Sequence, residues 1–71
     1  MSITPDVLEI RGLIAKNGHS LRSFAKYCGV SVSYMSQILN EKVLPSPKIA
    51  KKIADSLNVE VEQIFNFKHK I

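Results

Sequence analysis

The sequence predicts an all-α fold, a compact bundle of five short helices. Apolar residues recur at helical spacing in five segments, serine or threonine stands before proline at two helix starts, and glycine or asparagine follows several of the apolar stripes. No segment alternates apolar and polar residues with strand character. We therefore predict five helices and no strands.

The first helix is predicted to begin with Thr4 as N-cap and Pro5 as its first residue. Proline suits that position because the amide that it lacks would have no acceptor within the helix. Asn17 and Gly18 tolerate positive φ, so the helix is expected to end there. Its buried stripe is predicted to comprise Val7, Ile10, Leu13 and Ile14.

The segment from Ser20 to Asn40 is the most informative part of the chain, because one glycine separates two short amphipathic helices. Ser20 can cap the second helix, predicted over about residues 21–28, whose apolar face holds Phe24, Ala25 and Cys28. Gly29 follows where a left-handed backbone often ends a helix, and Ser31 can cap the third helix, over about residues 32–40. This spacing is that of a helix-turn-helix and indicates DNA as the partner.

A fourth helix is predicted to begin at Ser46 and Pro47, which repeat the serine or threonine and proline pair of the first helix. Asn58 is a plausible left-handed cap at its end, and a short fifth helix follows. The core-facing residues of these two helices are predicted to be Ile49, Ala50, Ile53, Ala54, Leu57, Val61, Ile64 and Phe65. The 71 residues are predicted to form one domain with a core over about residues 5–66 and a frayed tail over residues 67–71.

The composition narrows the classes of function. A net charge of +4 suits a polyanionic partner such as nucleic acid. Cys28 is the only cysteine, which excludes an internal disulfide and fits a reducing compartment, and no apolar run is long enough for a bilayer, so we expect a cytoplasmic protein without a membrane partner. We predict no enzyme, cofactor, small-molecule substrate or metal site, since no catalytic set is visible and His19 and His69 lack a second ligand at metal spacing.

From about Ile10 to Phe65 the sequence resembles the lambda-repressor-like family, also called Xre or Cro-like, of bacterial and phage helix-turn-helix regulators. The residues that carry the resemblance are Asn17-Gly18, the Leu-x-x-Phe-Ala-x-x-x-Gly-Val-Ser run from Leu21 to Ser31, Met35 to Ile38, Pro45-Ser46, Ile53-Ala54 and Leu57 to Val59 leading to Ile64-Phe65. The resemblance implies a five-helix bundle whose third helix enters the major groove.

The resemblance also implies which residues contact DNA. By position, the base-contacting residues are Val32, Ser33, Tyr34 and Gln37, which share the outward face of the third helix. We expect phosphate contacts from helix starts, from the turn and from the loop after the third helix, at Ser20, Leu21, Arg22, Ser31, Asn40, Lys42 and Lys48. For Lys51 and Lys52 a solvating role is the favoured interpretation.

Three departures from the family pattern affect these expectations. Leu21 stands where many members have a glutamine that bridges a phosphate and the recognition helix. Ile14 and Leu39 stand where some members pair an arginine with a glutamate. Glu41 occupies a position where glycine often follows the third helix, and its charge would repel phosphate.

The expected function is sequence-specific binding of double-stranded DNA by a transcriptional regulator, a repressor that binds a palindromic operator as a homodimer. The alternative is a protein-binding module of the same fold, acting as antirepressor, antitoxin or adaptor on a regulatory protein. The C-terminal segment holds more apolar bulk than one short helix easily buries, so it is a candidate dimer contact through Val61, Phe65 and Phe67.

Overall fold

A computed structural model describes residues 2–68 and contains five helices and two short strands. The helices are α1 (Val7–Lys16), α2 (Leu21–Cys28), α3 (Val32–Leu39), α4 (Pro47–Ser56) and α5 (Val61–Ile64). The strands are β1 (Ser2–Pro5) and β2 (Phe65–Lys68), which pair antiparallel. The all-α prediction with five helices is confirmed, and the prediction that the chain has no strand was wrong.

The strand pair changes the start of the first helix. Pro5 lies opposite Phe65 in the sheet, so Thr4 is extended and cannot act as the predicted N-cap. Asp6 caps α1 instead, its carboxylate accepting the amide of Glu9 at 3.3 Å while its own amide donates to the carbonyl of Ile64 at 2.8 Å. The helix therefore begins two residues later than predicted, where the chain leaves the sheet.

The two strands also extend the folded region at both ends. Ile3 is buried, so the core reaches below its predicted start at residue 5. Phe67 and Lys68 belong to β2, so they are not part of a frayed tail, and the rest of the predicted tail, residues 69–71, lies outside the described residues.

The core draws side chains from β1, from all five helices and from β2. Its largest fully buried members are Phe24, Phe65, Ile10, Met35, Ile38, Ile53, Ile64 and Cys28. Within residues 3–67 no polar or charged side chain is buried. None of the helices in that range has the length and apolar character of a membrane span.

The local signals for helix ends are confirmed at most positions. Ser20 and Ser46 accept backbone amides at the starts of α2 and α4, the latter followed by Pro47. Asn58 adopts a φ of 58° just after α4, as predicted for a left-handed cap. These short-range interactions fix where the helices begin and end, and so fix the surface that they present.

Candidate nucleic-acid interface

The turn between α2 and α3 is tight and is held by backbone and side-chain hydrogen bonds. Gly29 has φ 79° and ψ 28°, a left-handed conformation that costs glycine least. The amide of Val30 donates back to the carbonyl of Ala25 at 3.0 Å, and the hydroxyl of Ser31 accepts the amide of Tyr34 at 3.0 Å. The chain therefore leaves one helix and enters the next within three residues.

The two helices of this unit are held together by their buried faces. Phe24, Ala25 and Cys28 of α2 and Met35, Ile38 and Leu39 of α3 all belong to one hydrophobic cluster. Ala50, Ile53 and Ala54 of α4 close the same cluster. Because close-packed interiors resist rearrangement, the outward face of α3 has a fixed direction relative to α2.

The four predicted base-contacting residues lie on that face in two different environments. Ser33 and Gln37 are exposed. Val32 and Tyr34 are half-buried, because each packs partly against the core. The face therefore offers two free hydrogen-bonding side chains flanked by an apolar and an aromatic side chain held in place by packing.

The start of α2 presents backbone donors beside this face. The amides of Leu21 and Arg22 belong to the first helical turn, where no intrahelical acceptor exists, whereas the amide of Ser23 is taken by the hydroxyl of Ser20 at 3.1 Å. The Arg22 side chain is exposed, and the Leu21 side chain packs on the core. A helix start with free amides and a nearby arginine favours an anion.

The loop after α3 is attached to the last turn of that helix. The amide of Lys42 donates to the carbonyl of Gln37 at 2.9 Å, and the side-chain amide of Asn40 donates to the hydroxyl of Ser36 at 3.2 Å. Glu41 has a φ of 58°, a left-handed conformation that favours glycine. Asn40 and Lys42 are exposed on this loop.

Lys48 lies in the first turn of α4, directly after the Ser46 cap and Pro47. It is exposed and carries a positive charge at the positive end of the helix dipole, which is a locally unfavourable position. An anion bound at this helix start would relieve that repulsion.

Charge is segregated along the fold. Residues 11–52 contain eight lysines and arginines and a single acid, Glu41, whereas five acids lie within residues 6–9 and 55–62. The amide of Asp6 bonds to α5, so the acidic start of α1 lies against the acidic C-terminal segment. The helix-turn-helix unit therefore belongs to the basic part of the molecule.

The Helix-turn-helix family model matches residues 10–64. The chain belongs to the lambda-repressor-like helix-turn-helix family. The protein is also 34% identical over 55 residues to an uncharacterized HTH-type transcriptional regulator, YazB of Bacillus subtilis (strain 168), covering 78% of this chain and 80% of that protein. Family membership makes this helix-turn-helix protein a DNA-binding regulator and not an enzyme.

The residues that depart from the family pattern in this helix-turn-helix protein lie in or against the core or in the loop after α3. Leu21 is half-buried against the core, where its side chain cannot form the polar bridge of a glutamine. Ile14 and Leu39 are 6% and 3% exposed and belong to the same core cluster, so apolar packing stands where an ion pair is found in some members. Glu41 adopts the left-handed backbone conformation that favours glycine, although it carries a side chain.

Two interactions around the helix-turn-helix were missed at the sequence level. Nδ1 of His19 lies 2.6 Å from the hydroxyl of Ser23, and the His19 ring lies 5.3 Å from that of Tyr27, so the entry to α2 is ordered by its own side chains. Lys52 approaches Gly29 closely, its Nζ 3.4 Å from where a Cβ would stand. The spacing of His19 and Ser23 is a weak local signal, whereas Lys52 is brought to Gly29 only by tertiary packing.

The C-terminal residues predicted as a dimer contact are less available than expected. Phe65 is only 1% exposed and fills the core, so it cannot meet a partner, and this assignment is corrected. Val61 and Phe67 are half-buried and pack against the same core. This segment pairs with β1, whose Ile3 and Pro5 lie opposite Phe67 and Phe65. Its apolar side chains therefore pack within the monomer.

A metal site requires several ligating side chains close together, and a ligand pocket requires a concave, mostly apolar cavity. No group of three potential metal ligands occurs within residues 2–68. An open polar cleft lies at the end of α4 and the start of α5 and shares no residue with the predicted interface; it is lined by Lys51, Asp55, Asn58, Val59, Glu60 and Gln63. Lys51 also forms an exposed ion pair with Asp55 at 3.1 Å.

Cys28 is buried, as its predicted place on the apolar face of the second helix requires. Burial raises the pKa of the Cys28 thiol, an effect that Ser56 and the charge of Lys52 oppose. Because the folded pKa lies above the unfolded one, this group's contribution to stability is present below the unfolded pKa and is lost as pH rises through the folded pKa. We expect the free energy of unfolding to fall above about pH 8.5, and urea denaturation at pH 7 and at alkaline pH measures it.

The matched variant for this measurement is Cys28→Ala. It is expected to lower stability at both pH values but to show a smaller fall between them, because the thiol no longer titrates. An alkaline fall of the same size in both proteins would contradict a role for the thiol.

Proposed function

We propose that this helix-turn-helix protein is a transcriptional repressor that binds a palindromic operator as a homodimer. In each half-site, α3 lies in the major groove and α2 crosses it near the phosphate backbone. The observation that carries the proposal is the face of α3, which is held in direction by its packed opposite side and on which Ser33 and Gln37 are exposed. The similarity to an HTH-type transcriptional regulator of Bacillus subtilis supports a role in transcription regulation.

Base reading would rest on the mixed chemistry of the α3 face. Gln37 can donate to and accept from the N6/N7 edge of adenine, and Val32 can contact a thymine methyl group. Ser33 can hydrogen-bond several bases, and Tyr34 can reach a base edge or a phosphate. We therefore expect half-sites with an A·T preference at the position of Gln37.

Phosphate contacts would set the register of the protein on the duplex. The amides of Leu21 and Arg22 and the exposed Lys48 stand at two helix starts, where phosphate is favoured. Ser20 and Ser31 use their oxygens as caps but can still donate their hydroxyl protons. Asn40 and Lys42 would approach the backbone from the loop after α3.

Selection of bound duplexes from a random DNA pool tests the proposed function directly. The expected result is an inverted repeat whose half-sites are spaced by about one helical turn, roughly 34 Å. Enrichment of a single asymmetric site would contradict the homodimer on a palindrome. Absence of any binding at low salt would overturn DNA reading and favour a protein-binding module of the same fold.

Lys48→Ala is expected to weaken binding to operator and random duplexes alike. One lost phosphate contact lowers the slope of log affinity against log salt concentration by about one. Titrations at several salt concentrations measure this slope. Lys51→Ala is the matched control, because Lys51 is paired with Asp55 on the same helix, and its slope is expected to equal that of the parent. Equal slopes for the parent and Lys48→Ala would remove Lys48 from the interface.

A further inference from the structure

The side of α1 that faces away from the core carries an apolar surface. Leu8 is 85% exposed, and Gly12 and Ala15, four and seven residues later, are exposed on the same side. We call these three residues the outer face of α1. Ile10 and Ile14 bury the opposite side of the helix, and Leu8 is left uncovered by the residues that the structure describes.

Gly12 is not explained by the monomer fold. It lies inside α1 without a positive φ, and a Cβ built on it meets nothing within 4 Å. Glycine in an exposed helix interior destabilises the helix relative to other residues. A side chain there would fit among residues 2–68, so packing within that part of the chain does not require a glycine.

One flank of the outer face carries complementary charges. Glu9 and Lys16 are exposed at the two ends of this flank, seven residues or about 10 Å apart along the helix, too far to pair with each other. In the part of the chain that the structure describes, neither forms a salt bridge. An acid at one end and a base at the other complement a second copy of the same helix running in the opposite direction.

We propose that the outer face of α1 is a self-association surface, on which α1 of a second copy packs antiparallel. The helices cross near Gly12, where the missing side chains allow close approach, and Leu8 of each copy packs on Ala15 of the other. Glu9 of each copy then lies beside Lys16 of the other, twice by symmetry. In a parallel two-fold pair the flank of Glu9 and Lys16 would face the opposite flank of the partner, so these two residues meet only in the antiparallel pair.

The size and the flanks of this contact set its strength. α1 has ten residues and is about 15 Å long, so the paired surface falls at the small end of specific interfaces, where complexes are weak and transient. Arg11, on the second flank, is exposed and would lie near its own copy, where the two like charges oppose the pairing and weaken it further. The surface shares no residue with the α3 face, so variants of α1 test self-association without changing the residues proposed to read bases.

Sedimentation velocity of the full chain from micromolar to millimolar concentration is the first test. The parent is expected to shift from monomer toward dimer over this range. Leu8→Gln is expected to raise the dimer dissociation constant at least about tenfold, since it removes the central apolar contact. Leu44→Gln is the matched control, because Leu44 is also a large exposed hydrophobic residue, at 55%, but lies in the loop before α4.

Gly12→Gln separates assembly from folding. Glutamine has a higher helix propensity than glycine, so we expect the variant to melt about 3 °C higher at low concentration, where the protein is monomeric. The same side chain blocks close approach, so the dimer dissociation constant is expected to rise at least about tenfold. A merely structural role for Gly12 predicts no change in self-association.

Charge reversal tests the antiparallel arrangement itself. Glu9→Lys and Lys16→Glu are each expected to weaken the dimer by about fivefold, because each single variant places like charges together twice. The double variant restores complementary pairs and is expected to return the dissociation constant to within about twofold of the parent. A monomeric parent at millimolar concentration, a dimer unaffected by Gly12→Gln, or no recovery in the double variant would overturn the proposal. A short duplex with one half-site, titrated at low protein concentration, reports DNA reading separately.

Discussion

Replacing Leu39 with glutamate is expected to cost about 3 to 5 kcal/mol and to unfold much of the protein at neutral pH. Leu39 is 3% exposed at the end of α3, so the introduced carboxylate would lie in the core without a partner. The net stability of so small a domain is rarely greater than this cost. Circular dichroism during urea denaturation measures the loss, and Leu39→Met, which keeps the volume and the apolar character, is expected to cost less than about 1.5 kcal/mol.

The double variant Ile14→Arg with Leu39→Glu tests whether the cost of Leu39→Glu comes from an unpaired buried charge. Some family members carry an arginine and a glutamate at these two positions, and a buried charge with its partner is far less costly than one without. We therefore expect the double variant to be more stable than Leu39→Glu alone, so that the two changes are not additive. Strictly additive losses would show that the two sites do not interact.

Gln37→Ala is expected to cost about 1 to 3 kcal/mol of binding free energy, at one base position only. Gln37 is an exposed hydrogen-bonding side chain on the outward face of α3, and its loss leaves the fold intact. Titration of the parent and the variant against operator duplexes that differ at each base pair in turn measures the effect. The parent should discriminate at the Gln37 position, and the variant should bind all four bases there with similar affinity.

The matched control for this experiment is Gln63→Ala, which removes an exposed glutamine from α5, outside the proposed interface. It is expected to keep both the affinity and the base preference of the parent. If Gln37→Ala also preserved the parent's preference at every position, α3 would not read bases through this residue.

The helix-turn-helix unit could be predicted from the sequence because its determinants are local. Ser20 and Ser31 each cap a helix through an amide three residues away, and Gly29 ends α2 through its own backbone conformation. Such signals act over a few residues and do not depend on the rest of the fold. The outward face of α3 followed from the same periodicity, although the half-burial of Tyr34 depends on tertiary packing.

The strand pair could not be predicted in the same way because it joins residues sixty or more positions apart. Pro5 lies opposite Phe65, and Ile3 lies opposite Phe67. Phe65 to Lys68 alternate apolar and polar residues over only four positions, which is too short a run to have strand character by itself or to be distinguished from a frayed helix end. Thr4 precedes Pro5, as a helix N-cap would, but it pairs with Asn66 across the sheet. That pairing cannot be seen in the local sequence.

The pairing of β1 with β2 has a consequence for the order in which the molecule folds. Closing a loop that contains almost the whole chain is entropically costly, and contacts of such long range form late. The α2 and α3 unit, whose contacts are close in sequence, can form before the two ends of the chain meet. The sheet is therefore expected to close last, and its opening would expose Ile3 and Phe65, which belong to the same core cluster as the buried residues of α3.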